Sequence, residues 1–174
     1  DYLKVVKKRP KGMVGRVKLV GQVGFSLVLF AILQADSPGG PLTTQLAVPF
    51  LKDVFVEVGW LYLPLIVMVV AGTSNAVNLT DGLDGLAAGA SAMAFAAFTF
   101  IGFWQFRHLD VYDVPHALDL AVVGAAMVGG ILGFLWWNAS PAQIFMGDTG
   151  SLAIGSGLAA LALATNTHLL LPII

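Results

Sequence analysis

Long apolar runs alternate with short polar stretches along this chain. The first run extends from Val17 to Ala35, with Lys18 at its edge, and ends in a turn-rich segment, Asp36-Ser37-Pro38-Gly39-Gly40-Pro41. The second, Val58 to Thr73, is short; the third, Gly85 to Phe106, carries no charge; the fourth is Leu120 to Trp137 and the fifth Ser151 to Leu171. At about 1.5 Å of rise per residue the third run covers roughly 33 Å as a helix, which matches a hydrocarbon core of about 30 Å. Small residues crowd the later runs, as in Gly85-Leu86-Ala87-Ala88-Gly89-Ala90, and suit close helix–helix packing in lipid. The pattern predicts an all-α, polytopic membrane helix bundle. It has about five transmembrane helices (17–35, 58–73, 85–106, 120–137 and 151–171) in a single membrane domain over residues 1–174.

Composition strengthens that reading. Of 174 residues, 57% are hydrophobic and 11% charged, whereas an ordinary soluble domain carries about 25% charged residues. These side chains could not cover a soluble fold of this size. With a net charge of −1, the chain has no global basic field, which argues for no nucleic-acid partner. It has no cysteine, so disulfides, thiolate metal sites and cysteine nucleophiles are excluded.

The cations are unevenly placed: Lys4, Lys7, Lys8, Arg9, Lys11, Arg16 and Lys18 precede the first span, and Lys52 and Arg107 complete the set. The positive-inside rule places that N-terminal segment in the cytoplasm. Alternating spans then put loops 1–16, 74–84 and 138–150 inside. This gathers Asp1, the seven cations, Asp81, Asp84 and Asp148 at one face. His108, His116 and His168 fall at the far side, where solvated or interfacial positions are expected. Trp136-Trp137 reads mainly as an interfacial belt.

Two inside loops carry chemistry-bearing residues. Ser74-Asn75-Ala76-Val77-Asn78-Leu79-Thr80-Asp81-Gly82-Leu83-Asp84-Gly85 reads as a turn with helix capping. It reads equally as an oxygen-rich site for a hard cation or a sugar nucleotide. Its spacing does not fit an EF-hand. Phe145-Met146-Gly147-Asp148-Thr149-Gly150-Ser151 opens the fifth span. There a carboxylate beside a helix N-terminus either caps the helix or helps hold Mg²⁺ and phosphate. Phe145 either anchors at the interface or stacks on a base. Asp1-Tyr2-Leu3-Lys4 offers an exposed ion pair or half of a phosphate site. No Walker motif, catalytic triad, HExxH or nucleophile elbow is present. The spans are nearly devoid of ionisable groups, which favours surface chemistry on a phosphate-bearing lipid over ion transport.

The runs Asn75-Ala-Val-Asn78-Leu-Thr-Asp81-Gly-Leu-Asp84-Gly-Leu-Ala and Phe145-Met-Gly-Asp148-Thr-Gly-Ser-Leu closely resemble signatures of the polyprenyl-phosphate N-acetylhexosamine-1-phosphate transferases. Thr80 and Asp148-Thr149-Gly150-Ser151 look most like the bacterial peptidoglycan branch. Asp1-Tyr2-Leu3-Lys4 looks like the tail of that family's Asp-Asp-Tyr-x-Lys motif. The resemblance implies a ten-helix family fold of which this chain carries an internal part. The first Asp of the pair would precede Asp1, and a triple-histidine motif would lie beyond Ile174. It implies transfer of phospho-N-acetylmuramoyl-pentapeptide from UDP to undecaprenyl phosphate, giving lipid I and UMP, with Mg²⁺ as cofactor. The partners are then UDP-MurNAc-pentapeptide, undecaprenyl phosphate, membrane lipids and a second copy in a homodimer, and the site is the cytoplasmic face of the bacterial inner membrane.

Carried over residue by residue, the resemblance makes Asp148 the Mg²⁺ ligand, with Asn78 close enough to help. Asp81 and Asp84 match the nucleotide–sugar pocket and Phe145 an aromatic that stacks on uracil. Asn75 and Asn138 match polar residues of the same cleft. Asp1 matches an acid acting on the lipid phosphate, and Lys4 and Lys18 look like phosphate-side cations. Two rivals stay open: a UDP-GlcNAc-1-phosphate transferase of the same superfamily, and a non-enzymatic transporter, channel or scaffold fragment.

Overall fold

The computed structural model describes residues 15–35, 45–47, 55–112, 114 and 116–174. Asp1 and Lys4 lie outside the described residues. Five long helices form the body: α1 (Gly15–Ala35), α2 (Tyr62–Thr80), α3 (Leu86–Arg107), α4 (Ala117–Asn138) and α5 (Gly147–Ala164). Between α1 and α2 lies a short antiparallel pair, β1 (Gln45–Ala47) and β2 (Phe55–Glu57), in register Gln45 to Glu57 and Ala47 to Phe55. This pair lies in the connection that opens on residues 36–41, where the sequence reading names turn residues and no strand. The architecture is otherwise the expected all-α membrane bundle.

Helix limits depart from the sequence reading in ways the chain explains. The second span runs on past Thr73 to Thr80, because its polar residues bond within the helix. Asn75 Nδ2 donates to the Ala71 carbonyl at 2.7 Å and Thr80 Oγ1 to the Ala76 carbonyl at 2.8 Å. The inside loop expected at 74–84 therefore shrinks to the turn between Thr80 and Leu86. The fifth span starts earlier, at Gly147, and stops at Ala164 rather than Leu171. Asn166 stops it, at φ +52°. The Thr167 N–H reaches the Ala162 carbonyl at 2.8 Å and the Asn166 N–H the Leu163 carbonyl at 3.1 Å, a Schellman ending with Asn in the left-handed position. Among the described residues, four helical segments have the length and apolarity to cross a membrane: Gly15–Ala35, Gly59–Thr80, Leu86–Arg107 and Ala117–Asn138. Helix α5, with 18 residues and a polar first turn, is shorter than they are.

Two buried clusters hold the helices together. Phe95, Phe98 and Ile131 pack with Leu158, Leu161 and Ala162, joining α3, α4 and α5. Leu29, Tyr62, Ile66, Val70, Ala159 and Leu163 join α1, α2 and α5. In lipid the hydrophobic effect does not drive helices together, so fit decides. Helix α5 approaches α2 so closely that a Cβ on Gly155 would lie 2.5 Å from Ser74 Cα and 2.8 Å from the Thr73 carbonyl oxygen. Only a glycine permits that crossing.

Helix alternation places the start of α1, the end of α2, the start of α3, the end of α4 and the start of α5 at one end of the bundle. His108, His116 and His168 lie at the opposite end. His168 corrects the expectation of a wetted ring: it is 2% exposed and packs edge-on against Tyr62, ring centres 6.1 Å apart.

Candidate active site

The site is built where those helix ends meet. Lys18, in the first turn of α1, points its ammonium at Asp148 in the first turn of α5, with Nζ 2.9 Å from Oδ2. Both side chains are largely shielded, at 16% and 31% exposure. An ion pair in such a setting is less screened than one on open surface. Asp81 caps the end of α2. Partial burial, reinforced by the negative charge of Asp148, raises its carboxyl above the usual range. The two acids are thus close enough to feel each other, and Lys18 pairs with one of them, Asp148.

One turn before Asp81, Asn78 is held from α5. Ser151 Oγ donates to Asn78 Oδ1 at 2.8 Å, and Ser151 is fully buried. A further turn back, Asn75 Nδ2 bonds both the Ala71 carbonyl and Gln22 Oε1, the latter at 3.4 Å. Helical spacing of three puts Asn75, Asn78 and Asp81 on one side of α2. These residues were expected on a loop; a helix places them more rigidly.

The other wall is the turn from α2 to α3 joined to the connection from α4 to α5. Gly85, at φ +74°, starts α3 in a conformation suited to glycine. Its N–H donates to Asn138 Oδ1 at 3.1 Å. Asn138 is buried, and its Nδ2 donates to the Ile144 carbonyl at 2.9 Å. Asp84 Oδ2 accepts the Ala142 N–H at 3.0 Å. Asp84 and Asn138 thereby brace residues 139–146 against the α2–α3 turn. Phe145 stands out from that connection at 75% exposure. An apolar ring this uncovered at a polar mouth is available for stacking.

The structure thus brings Lys18, Asn75, Asn78, Asp81, Asp84, Asn138, Phe145 and Asp148 to one end of the bundle. Sequence reasoning passed over Gln22, Ser151 and Gly155 as working parts. Gln22 carried a usable signal, since a polar side chain inside an apolar run, one turn from Lys18, is costly in lipid unless it has a task. Among the described residues no group of three His, Asp or Glu side chains forms a metal cage.

The fold and this end of the bundle define a membrane-embedded helical protein with a carboxylate, amide and lysine site at one face. Residues 9–166 match the model of glycosyl transferase family 4, and the chain belongs to that family. The relatives agree with the resemblance read from the two loop motifs. The chain is 46% identical to a phospho-N-acetylmuramoyl-pentapeptide-transferase of Streptomyces coelicolor, over 100% of this chain and 52% of that protein. It is 46% identical to the protein of that name from Frankia casuarinae, with the same coverage. The counterpart from Chlorobium phaeobacteroides is 43% identical over 100% of this chain and 48% of its own length. The chain spans about half the length of the curated relatives it matches.

Proposed function

We propose that this chain carries the nucleotide-sugar and metal-binding part of a phosphoglycosyl transferase of the bacterial inner membrane, working at the cytoplasmic face. The reaction moves phospho-N-acetylmuramoyl-pentapeptide from UDP-MurNAc-pentapeptide to undecaprenyl phosphate and yields lipid I and UMP. The observation that carries this reading is the convergence of Lys18, Asp81 and Asp148 at one end of the bundle, beside the exposed Phe145. The relatives' shared name favours the muramoyl donor over UDP-GlcNAc. The absence of Asp, Glu or Lys from the middle of the spans favours surface chemistry over transport.

The residues fit Mg²⁺. That ion prefers oxygen donors and is usually held by one or two carboxylates, with substrate phosphates and water completing its shell. Asp148, with Asn78 beside it, would hold the ion; partial burial first, and the charge of Asp148 second, raise the Asp81 carboxyl, and a cation would relieve the second of these. When bound, the ion supplies charge neutralisation for the two phosphate-bearing substrates and for the departing UMP.

The chain's own residues do the rest. A lipid-phosphate oxygen attacks the phosphorus attached to the sugar, forming a new P–O–P link, and the bond from that phosphorus to the UMP oxygen breaks. A phosphate monoester has its second pKa near 6 and is mostly ionised at neutral pH, so a strong base is scarcely required. Asp1 is assigned to orienting or deprotonating it and Lys4 to the same phosphate. Lys18 offsets charge on the phosphates from inside the bundle. Asn75, Asp81 and Asp84 contact the nucleotide–sugar, and Phe145 covers the uracil face.

Asp148→Asn in the full-length protein tests the reading. Exchange of labelled UMP into UDP-MurNAc-pentapeptide, in the presence of undecaprenyl phosphate, should fall by roughly 100-fold or more. A Mg²⁺-dependent rise in melting temperature, expected for wild type, should be absent from the variant. Wild-type exchange by the variant at ordinary Mg²⁺ would refute the assignment.

A further inference from the structure

Helix α1 meets the bundle through few side chains. Gln22, Ser26 and Leu29 are its buried residues, and Lys18 lies on the same stripe, four residues before Gln22. Val17, Val20, Leu27, Val28 and Ile32 are exposed. Lipid tails are as apolar as these side chains, so burial alone selects no single rotation of α1 about its axis.

Gln22 supplies the missing constraint. It is 6% exposed. Its Nε2 donates to Ser74 Oγ at 2.7 Å, and its Oε1 accepts from Asn75 Nδ2 at 3.4 Å. Ser74 is itself held firmly: it is fully buried, and α5 crosses α2 at this point, with Gly155 against the Ser74 backbone. One residue of α1 corresponds to about 100° of rotation, so a modest turn away from Ser74 sweeps the Lys18 side chain off Asp148.

We propose that Gln22 is a positioning residue of the site. It sets the rotation of α1, aims Lys18 at Asp148 and steadies Asn75 from behind. The bonds stand on their own geometry; the catalytic consequence rests on the transferase reading above. No substrate contact is assigned to Gln22. Its effect reaches the chemistry through Lys18 and Asn75.

The test uses the full-length protein in detergent with three variants: Gln22→Met, which keeps the length and removes the hydrogen-bonding head, Ser74→Ala, and the two together. The measurements are kcat and KM for labelled-UMP exchange with UDP-MurNAc-pentapeptide, and the melting midpoint. Each single variant should lower kcat about tenfold while KM moves by less than about twofold, with the midpoint nearly unchanged. The double variant should be no worse than Gln22→Met alone, because that substitution already removes the bond that Ser74→Ala removes. Wild-type kcat in Gln22→Met overturns the proposal. So do losses that multiply in the double variant, or a kcat loss that simply follows a falling midpoint. A wild-type protein that exchanges no UMP defeats the transferase reading itself and this role with it, a result distinct from an active wild type beside an unaffected variant.

Discussion

Gly155→Ala is the sharpest probe of how the bundle builds its site. The added methyl would sit 2.5 Å from Ser74 Cα and 3.0 Å from the Ser74 nitrogen. Carbon atoms in ordinary contact stand about 3.5–4.0 Å apart, so α2 and α5 must part by about 1 Å. The obstacle is backbone, so no rotamer change relieves it. Overpacking of this kind destabilises by about 1–3 kcal/mol. One turn away, the Ser151–Asn78 hydrogen bond of 2.8 Å would stretch to about 3.8 Å, beyond useful length. A displacement of about 1 Å in a reacting constellation lowers rates by roughly 100-fold. Melting in detergent and labelled-UMP exchange should therefore both fall. Gly129→Ala is the control, because a Cβ there meets nothing within 4 Å and both quantities should hold. If Gly155→Ala melts and turns over like wild type, the close crossing does not organise the site.

Two further outcomes follow from particular side chains. Phe145→Ala should leave the melting midpoint nearly unchanged, since the ring is 75% exposed. Its KM for the uridine nucleotide should rise up to about tenfold, in keeping with an aromatic contact of about 0.5–1.5 kcal/mol; an unchanged KM removes Phe145 from the nucleotide site. His168, past the end of α5, has its imidazole pKa lowered by burial. The unfolded chain then takes up the proton first as pH falls, so stability is full above the unfolded value of about 6.5 and declines below it. Melting curves between about pH 7.5 and pH 5.5 should show a smaller acid loss for His168→Phe than for wild type, and parallel losses would refute the assignment.

Much of this architecture is legible in the chain because lipid imposes a simple rule: a crossing helix reads as a long apolar run. Helix ends were harder to place. Ser74 and Asn75 look like loop residues, yet both lie within a helix that satisfies their side chains from the preceding turn or from α1. Asn166, within Thr165-Asn166-Thr167-His168, carries a stop signal, but the apolar residues that resume at Leu169 let the run read on to Leu171. The loop motifs nominated Asn78, Asp81 and Asp148 without any distance, since spacing cannot say which turns meet in space. Ser151 and Gly155 serve the site through residues more than seventy positions away. Nothing local distinguishes such a serine or glycine from the many others in the same helices.

The bracing of residues 139–146 by Asp84 and Asn138 divides the site into two kinds of material. The acids and amides on the ends of α1, α2 and α5 stand on rods that cannot be rearranged without repacking the whole bundle. The eight-residue span facing them is pinned at its base but presents Phe145 outward. Under the proposed reading, Lys18, Asn78 and Asp148 meet the metal and phosphate from the unyielding half, and discrimination among donors can be retuned in the short connection while the membrane scaffold stays as it is.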